Sequence, residues 1–280
     1  MNDSSEPIVL VYYRVRGKAQ PIRNLLAYLG LTACEVYLEE QEQKKNLPEC
    51  VCKCLRSTPI DKTQLPLLCH EGLKIYDVYP ILAYLCRRFD HAELLGRDMQ
   101  QRAKLQEVVE LLVQKDTNML ANIMKLAENS YQKEPPALLQ DKKVAFNAFF
   151  EGDWSCMKEL CTLLERRGAQ SFLLGDITVV DFMFLETCQA VLGCFNNIDS
   201  KDCCAITCIK EFFSSDAGDN KKNYKYLRVM RSYLQLGQCQ PFYEQNREHL
   251  EGFSMRCVSF TPQRTQGMRK LWVMNPSFVA

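Results

Sequence analysis

Ile8-Val9-Leu10-Val11-Tyr12-Tyr13-Arg14-Val15-Arg16-Gly17-Lys18, running on to Gly30, organises the rest of the chain. Its opening residues are almost all apolar, the pattern of a strand covered on both faces. A basic turn follows, and then Ile22, Leu25, Leu26 and Leu29 recur at the i, i+3, i+4, i+7 spacing of one helix face. Gly30 ends that helix in the left-handed conformation that most residues avoid. The unit thus delivers a phenolic hydroxyl to the point where a buried strand gives way to a helix. Open α/β sheets commonly bind their ligands at such points.

Beyond it, Cys34-Glu35-Val36-Tyr37-Leu38-Glu39 alternates like a strand with one covered face. Residues 41–63 are polar and broken by Pro48 and Pro59, so they are expected to be irregular with some helix. Leu65-Pro66-Leu67-Leu68-Cys69 and Leu73-Lys74-Ile75-Tyr76 flank His70-Glu71-Gly72, which reads as a tight hairpin. Pro66 has no N–H for a ladder, which predicts an edge position and allows a cis bond. Asp77 caps a helix with Pro80 in its first turn and Ile81, Leu82, Leu85 and Phe89 on its buried face. The order β-α-β, hairpin, α makes a unit of thioredoxin-like size over 1–89.

Residues 90–98 read as a linker, and from 99 to 251 the pattern is helical almost throughout. Leu105, Val108, Val109, Leu112, Met119, Leu120, Ile123 and Met124 recur at helical spacing over 99–128; Pro135-Pro136 interrupts, and a helix resumes from Ala145 to Arg167. Thr178-Val179-Val180-Asp181 forms a capping box ahead of the very apolar Phe182-Met183-Phe184-Leu185, which marks a central helix. Further helices are expected near Cys204–Phe213, Tyr224–Tyr233 and Gln240–Leu250, with a polar loop at 214–223. The fold class is therefore α+β followed by all-α.

The chain has 280 residues and a formal charge of +1, so nothing marks it as a binder of nucleic acid. No apolar run is long enough for a membrane span, and Met1 to Pro7 is unlike a signal peptide. The 15 cysteines are scattered through helical patterns rather than set in a small secreted framework. They read as reduced thiols in a cytoplasmic protein, serving as small core residues. Cys50-Val51-Cys52-Lys53-Cys54 lacks both a fourth ligand and the usual zinc spacing, so no metal is expected. Cys203, Cys204 and Cys208 fall on one apolar helical face and read as packing.

Three pieces in order, Tyr12-Tyr13-x-Val15-Arg16-Gly17, Gln64-Leu65-Pro66 and Gly175-Asp176-x-Thr178-x-x-Asp181-Phe182, resemble a cytosolic glutathione S-transferase. The nearest pattern is that of the tyrosine-type mu, pi and sigma classes, over roughly residues 7–250. The resemblance implies an N-terminal thioredoxin-like domain that binds glutathione and an all-helical domain that forms much of the second-substrate pocket. It implies that Tyr12 is catalytic, its hydroxyl donating to the glutathione sulfur and favouring the thiolate. It places Tyr13, Lys18, Lys45 (or Lys44), Gln64, Leu65, Pro66, Asp77, Val78 and Asp116 around glutathione, with Asp116 reaching in from a partner subunit of a homodimer. Glutathione is the implied co-substrate, a small electrophile the second substrate, and detoxification the implied role.

One departure stands out. The family usually has glutamine-serine where this chain has Asp77-Val78, and the serine hydroxyl and N–H hold the γ-glutamyl carboxylate at a helix N-terminus. Val78 keeps the N–H alone, a loss of about 1.5–3 kcal/mol of binding. The tail over 252–280 carries Arg256, Arg264, Arg269 and Lys270 with no acidic residue, together with Phe253, Phe260, Trp272 and Phe278. It reads either as a tail laid over the protein's own surface, across the second-substrate pocket, or as an arm that docks on another protein. Two functional readings result: a glutathione transferase acting on small electrophiles, or a weak or inactive relative serving as a scaffolding subunit.

Overall fold

The computed structural model describes residues 6–13, 16–38, 60, 64–113, 155–168, 171–196, 229, 232–237, 239–243, 260–262 and 272–274. Strand β1 (Ile8–Tyr12) is buried along its whole length, as its unbroken apolar run requires. It leads through a short 3₁₀ turn at Gly17–Ala19 into helix α1 (Gln20–Tyr28), with Pro21 in the first turn, where its missing N–H costs nothing. Gly30 closes this helix at a φ of 66°. Strand β2 (Ala33–Tyr37) then pairs parallel with β1, Tyr12 opposite Tyr37. Arg23 of α1 grips Glu35 of β2, Nε to Oε1 at 2.9 Å and Nη2 to Oε2 at 2.8 Å.

The hairpin forms as expected: β3 (Leu67–His70) and β4 (Leu73–Tyr76) pair antiparallel around Glu71 and Gly72, at φ 50° and 75°. Positive φ at both central residues matches the twist of the flanking strands. The sheet order is β2-β1-β3-β4. β3 therefore lies inside the sheet, and the edge position expected for Pro66 is overturned. The proline stands just ahead of the ladder, on a cis Leu65–Pro66 bond, where no strand asks for its N–H.

Helix α2 (Val78–Arg88) follows Asp77 and buries Val78, Ile81, Leu82, Ala83, Leu85 and Cys86. It lies beside α1. The segment read as a linker contains a 3₁₀ turn, Ala92–Leu95, whose Leu94 and Leu95 are buried. Helix α3 covers residues 99–113 and buries Leu105, Val108, Val109 and Leu112. Helix α4 (Ser155–Arg167) ends at Gly168, φ 91°.

Helix α5 (Val179–Asn196) is the centre of the second layer and packs against both α1 and α2. The rings of Phe182, Tyr28 and Phe242 meet edge to face there, with centroids 5.1 to 5.9 Å apart. Helical residues 232–237 cross α5 so closely that a Cβ on Gly237 would lie 2.1 Å from Leu185 Cδ2. The architecture is a thioredoxin-like sheet unit joined to a helical unit through the α1–α5 contact.

Among the described cysteines, Cys69, Cys86, Cys161 and Cys188 are buried. In the tail, β5 (Phe260–Pro262) and β6 (Trp272–Met274) pair antiparallel, which three-residue strands give little pattern to foresee. The expectations for 41–59, 114–154, 197–228 and 244–259, and the Cys50–Cys54 and Cys203–Cys208 groups, lie outside the described residues.

Candidate functional site

Strand register gathers the candidate residues at one end of the sheet. Val11 stands opposite Leu67, and Leu67 opposite Tyr76. The next row along therefore holds Tyr12, Pro66 and Asp77, with Tyr37 beside Tyr12. At roughly 4.8 Å between neighbouring strands, the row from Tyr12 to Asp77 spans about 10 Å.

Tyr12 is 8% exposed, and its ring meets that of Tyr13 edge to face at 5.6 Å. Its hydroxyl oxygen accepts from the backbone N–H of Lys18 at 3.3 Å. Gly17 makes this contact possible in two ways. Its φ of 40° suits glycine, and a Cβ there would lie 3.0 Å from the Tyr12 hydroxyl. Lys18 thus enters the site through its backbone, beyond the side-chain charge considered from sequence.

Gln64, Leu65 and Pro66 are tied to the start of α2. The Asp77 N–H is shared between the carbonyls of Pro66 at 2.9 Å and Gln64 at 3.2 Å. Asp77 itself has φ 69° and ψ 160°, an unusual conformation for a residue with a Cβ. Its carboxylate Oδ1 accepts the Val78 N–H at 3.0 Å. The one donor that Val78 retains for an incoming anion is already answered from within the chain.

Thr178 and Asp181 lie in the second layer. Asp181 is fully buried, and its carboxylate accepts four hydrogen bonds: the Leu173 N–H at 2.9 Å, the Tyr233 hydroxyl at 2.6 Å, and the Thr178 N–H and hydroxyl, each at 2.8 Å. The Thr178 hydroxyl donates to the carboxylate, while the Asp181 N–H goes to the Thr178 carbonyl at 3.0 Å. Burial pushes the Asp181 carboxyl above its ordinary range, against the opposing pull of these donors. Lys45 and Asp116 lie outside the described residues.

A buried network next to Tyr12 escaped the sequence reading. Arg16 is 5% exposed, and its Nη2 donates to Glu186 Oε2 and to Gln189 Oε1, both at 2.7 Å. The Tyr243 hydroxyl donates to the same Gln189 oxygen. Burial works against the Arg16 charge, but the charge and hydrogen bonds of Glu186 outweigh it and hold the guanidinium pKa up. The signal was a lone glutamate, Glu186, in the apolar run Phe182–Cys188 of a central helix; a charge there must have a partner. Among the described residues, no group of histidine, cysteine and acidic side chains is arranged to hold a metal ion.

The sheet, the cis Pro66 corner and the helical layer define the cytosolic glutathione S-transferase fold. Sequence similarity runs to the same superfamily. Glutathione S-transferase alpha-4 of Rattus norvegicus is 25% identical over 185 residues, 61% of this chain and 79% of that protein. Glutathione S-transferase 3 of Gallus gallus is 35% identical over 95 residues, and that match spans 34% of this chain and only 37% of the relative. The solved structure of NaGST-2 superposes with a TM-score of 0.55 at 17% identity, over 86% of this chain and 96% of that one. A Pi-class glutathione S-transferase of Onchocerca volvulus gives 0.52 at 15% identity, over 87% and 93%. No protein-family model matches the chain.

Proposed function

We propose that the chain is a glutathione transferase of the tyrosine type that joins the sulfur of glutathione to small electrophiles. The observation that carries this reading is the Tyr12 hydroxyl at the end of β1, accepting the Lys18 N–H in the same row as Pro66 and Asp77. In the reaction the bound thiol loses its proton to solvent, and the Tyr12 O–H donates to the resulting thiolate. The sulfur attacks an electron-poor carbon, a C–S bond forms, and the leaving group, for instance a halide, departs with the electron pair. A hydrogen bond to a charged sulfur contributes about 1.5–3 kcal/mol, enough to set the thiolate population near neutral pH. No metal takes part in this reading.

Within it, Gln64 and Leu65 hold the cysteinyl portion of glutathione against the Pro66 corner, and Lys18 and Lys45 face its carboxylates. Tyr13 packs beside Tyr12, Asp77 meets the ligand's amine, and Asp116 comes from the second subunit of a homodimer. The thioredoxin-like domain is 1–89, the connection 90–98, the helical domain 99–251 and the basic extension 252–280. The mu-, pi- or sigma-like assignment rests on the Tyr12–Gly17 turn; named relatives include alpha-class proteins, and a structural neighbour is Pi-class. The cytoplasm is the compartment that suits free thiols and glutathione.

One observation favours the second reading, a scaffolding relative with little turnover: Asp77 already occupies the Val78 N–H. Retention on glutathione-agarose, followed by conjugation of an activated aryl halide with wild type and Tyr12→Phe, decides between them. Retention with turnover that falls about ten- to a hundred-fold in Tyr12→Phe supports the enzyme. Failure to bind millimolar glutathione overturns it.

A further inference from the structure

The buried cluster around Arg16 joins the helical layer to the turn that touches Tyr12. From α5, Glu186 takes the guanidinium from one side, with Nε 3.3 Å from each carboxylate oxygen and Nη2 2.7 Å from Oε2. Gln189, one turn of α5 further on, takes Nη2 as well and is itself held by the Tyr243 hydroxyl. The backbone of Arg16 is fixed from the other side, its carbonyl accepting from the Gln20 N–H at 3.1 Å and from Arg23 Nη1 at 3.4 Å. The next residue is Gly17, and the one after it is Lys18, whose N–H reaches the Tyr12 oxygen at 3.3 Å. That last contact is long for a hydrogen bond, so a small shift of the turn removes it.

We propose that Glu186 is a positioning residue for the Tyr12 hydroxyl, acting through Arg16 and the Gly17–Lys18 turn. This rests on the reading of Tyr12 as the group that activates the thiol. A phenol whose oxygen accepts a backbone N–H has a more polarised O–H and donates more strongly to a neighbouring thiolate. The ion pair spans the two structural layers, so the helical unit sets the geometry of a group carried by the sheet unit. A buried pair of this kind need add little net stability; its contribution is one fixed arrangement of the turn. The charged groups around it are Arg23 and Glu35 behind the turn and Lys18 at its end, with Tyr243 bounding the far side.

The experiment follows the apparent pKa of the glutathione thiol bound to the protein, read from thiolate ultraviolet absorbance, together with kcat and KM toward chlorodinitrobenzene. The full-length proteins compared are wild type, Glu186→Gln, Glu186→Asp and Tyr243→Phe. We expect Glu186→Gln to raise the bound-thiol pKa by about half to one unit and to lower kcat about three- to tenfold, with KM for glutathione changed less than about twofold. Glu186→Asp should recover part of the shift, and Tyr243→Phe, which deletes one hydroxyl at the rim of the network, should move the pKa in the same direction by less. A folded Glu186→Gln protein with wild-type thiol pKa overturns the proposal. If Glu186→Gln does not fold, an unshifted pKa in Tyr243→Phe together with Glu186→Asp overturns it equally. A wild-type protein that shows no bound thiolate at all refutes the transferase reading itself, a result distinct from either.

Discussion

Tyr12, Gly17 and Cys86 each show how one atom's surroundings set its chemistry. Gly17→Ala places a methyl group 3.0 Å from the Tyr12 oxygen and forces alanine to a φ of 40°. The expected cost is about 1 kcal/mol or more in stability, read by urea denaturation, with a loss of conjugation activity larger than the stability change accounts for. Equal activity in wild type and variant would count against the Gly17–Tyr12 contact. Cys86 lies on the buried face of α2, where burial pushes its thiol up to about 12 from an ordinary 9.0. The sign follows directly: the folded state holds the proton more tightly than the unfolded state. The stabilisation is therefore complete below pH 9.0 and lost as the pH rises through about 12. Cys86→Ala should flatten the alkaline fall of the denaturation midpoint relative to wild type. In the native protein at neutral pH, alkylating reagents should label the exposed Cys239 and spare Cys86. Parallel alkaline limbs, or rapid labelling of Cys86, would contradict its burial.

At the scale of the element, helix starts decide both stability and ligand affinity. The start of α5 is held by a carboxylate that accepts four hydrogen bonds, one of them from Tyr233 some fifty residues later in the chain, at 2.6 Å. Tyr233→Phe removes that hydroxyl and leaves the ring in place, so the loss of stability should be about 1.5–3 kcal/mol by chemical denaturation. A smaller change than about 0.5 kcal/mol would show that the bond contributes nothing net. The start of α2 works differently, because Asp77 turns its carboxylate onto the Val78 N–H that a bound carboxylate needs. Replacing the pair, Asp77→Gln with Val78→Ser, frees that N–H, removes a negative charge and supplies a hydroxyl. Calorimetric titration with glutathione should show affinity rising about ten- to a hundred-fold. An unchanged or weaker affinity would place the γ-glutamyl carboxylate elsewhere. The sequence identified Asp77 as a cap, and its side chain does satisfy the helix end. That the Asp77 carboxylate also takes the Val78 N–H goes with a local backbone conformation, φ 69° and ψ 160°, which no pattern of residue types reveals.

For the molecule as a whole, legibility followed the range of the interactions. The strand, turn and helix over residues 8–30, the hairpin around Glu71 and Gly72, and the stop at Gly168 are local, and hydrophobic period and glycine position were enough to read them. The place of β3 inside the sheet was not, because strand order depends on which segments pair across the chain; hence the misplaced edge at Pro66. Tyr12 was legible as a residue type at a strand end. Its hydrogen bond to Lys18 depends on the backbone turn at Gly17, and the Arg16–Glu186 pair, 170 residues apart, forms only once α5 is packed on α1. Whether the Tyr12 hydroxyl stabilises the glutathione thiolate is read most directly from the pKa of the thiol bound to wild type and to Tyr12→Phe. In wild type the bound thiol should be about two units more acidic than free glutathione, with most of that shift gone in Tyr12→Phe. A bound thiol that titrates alike in the two proteins would contradict that role of the hydroxyl.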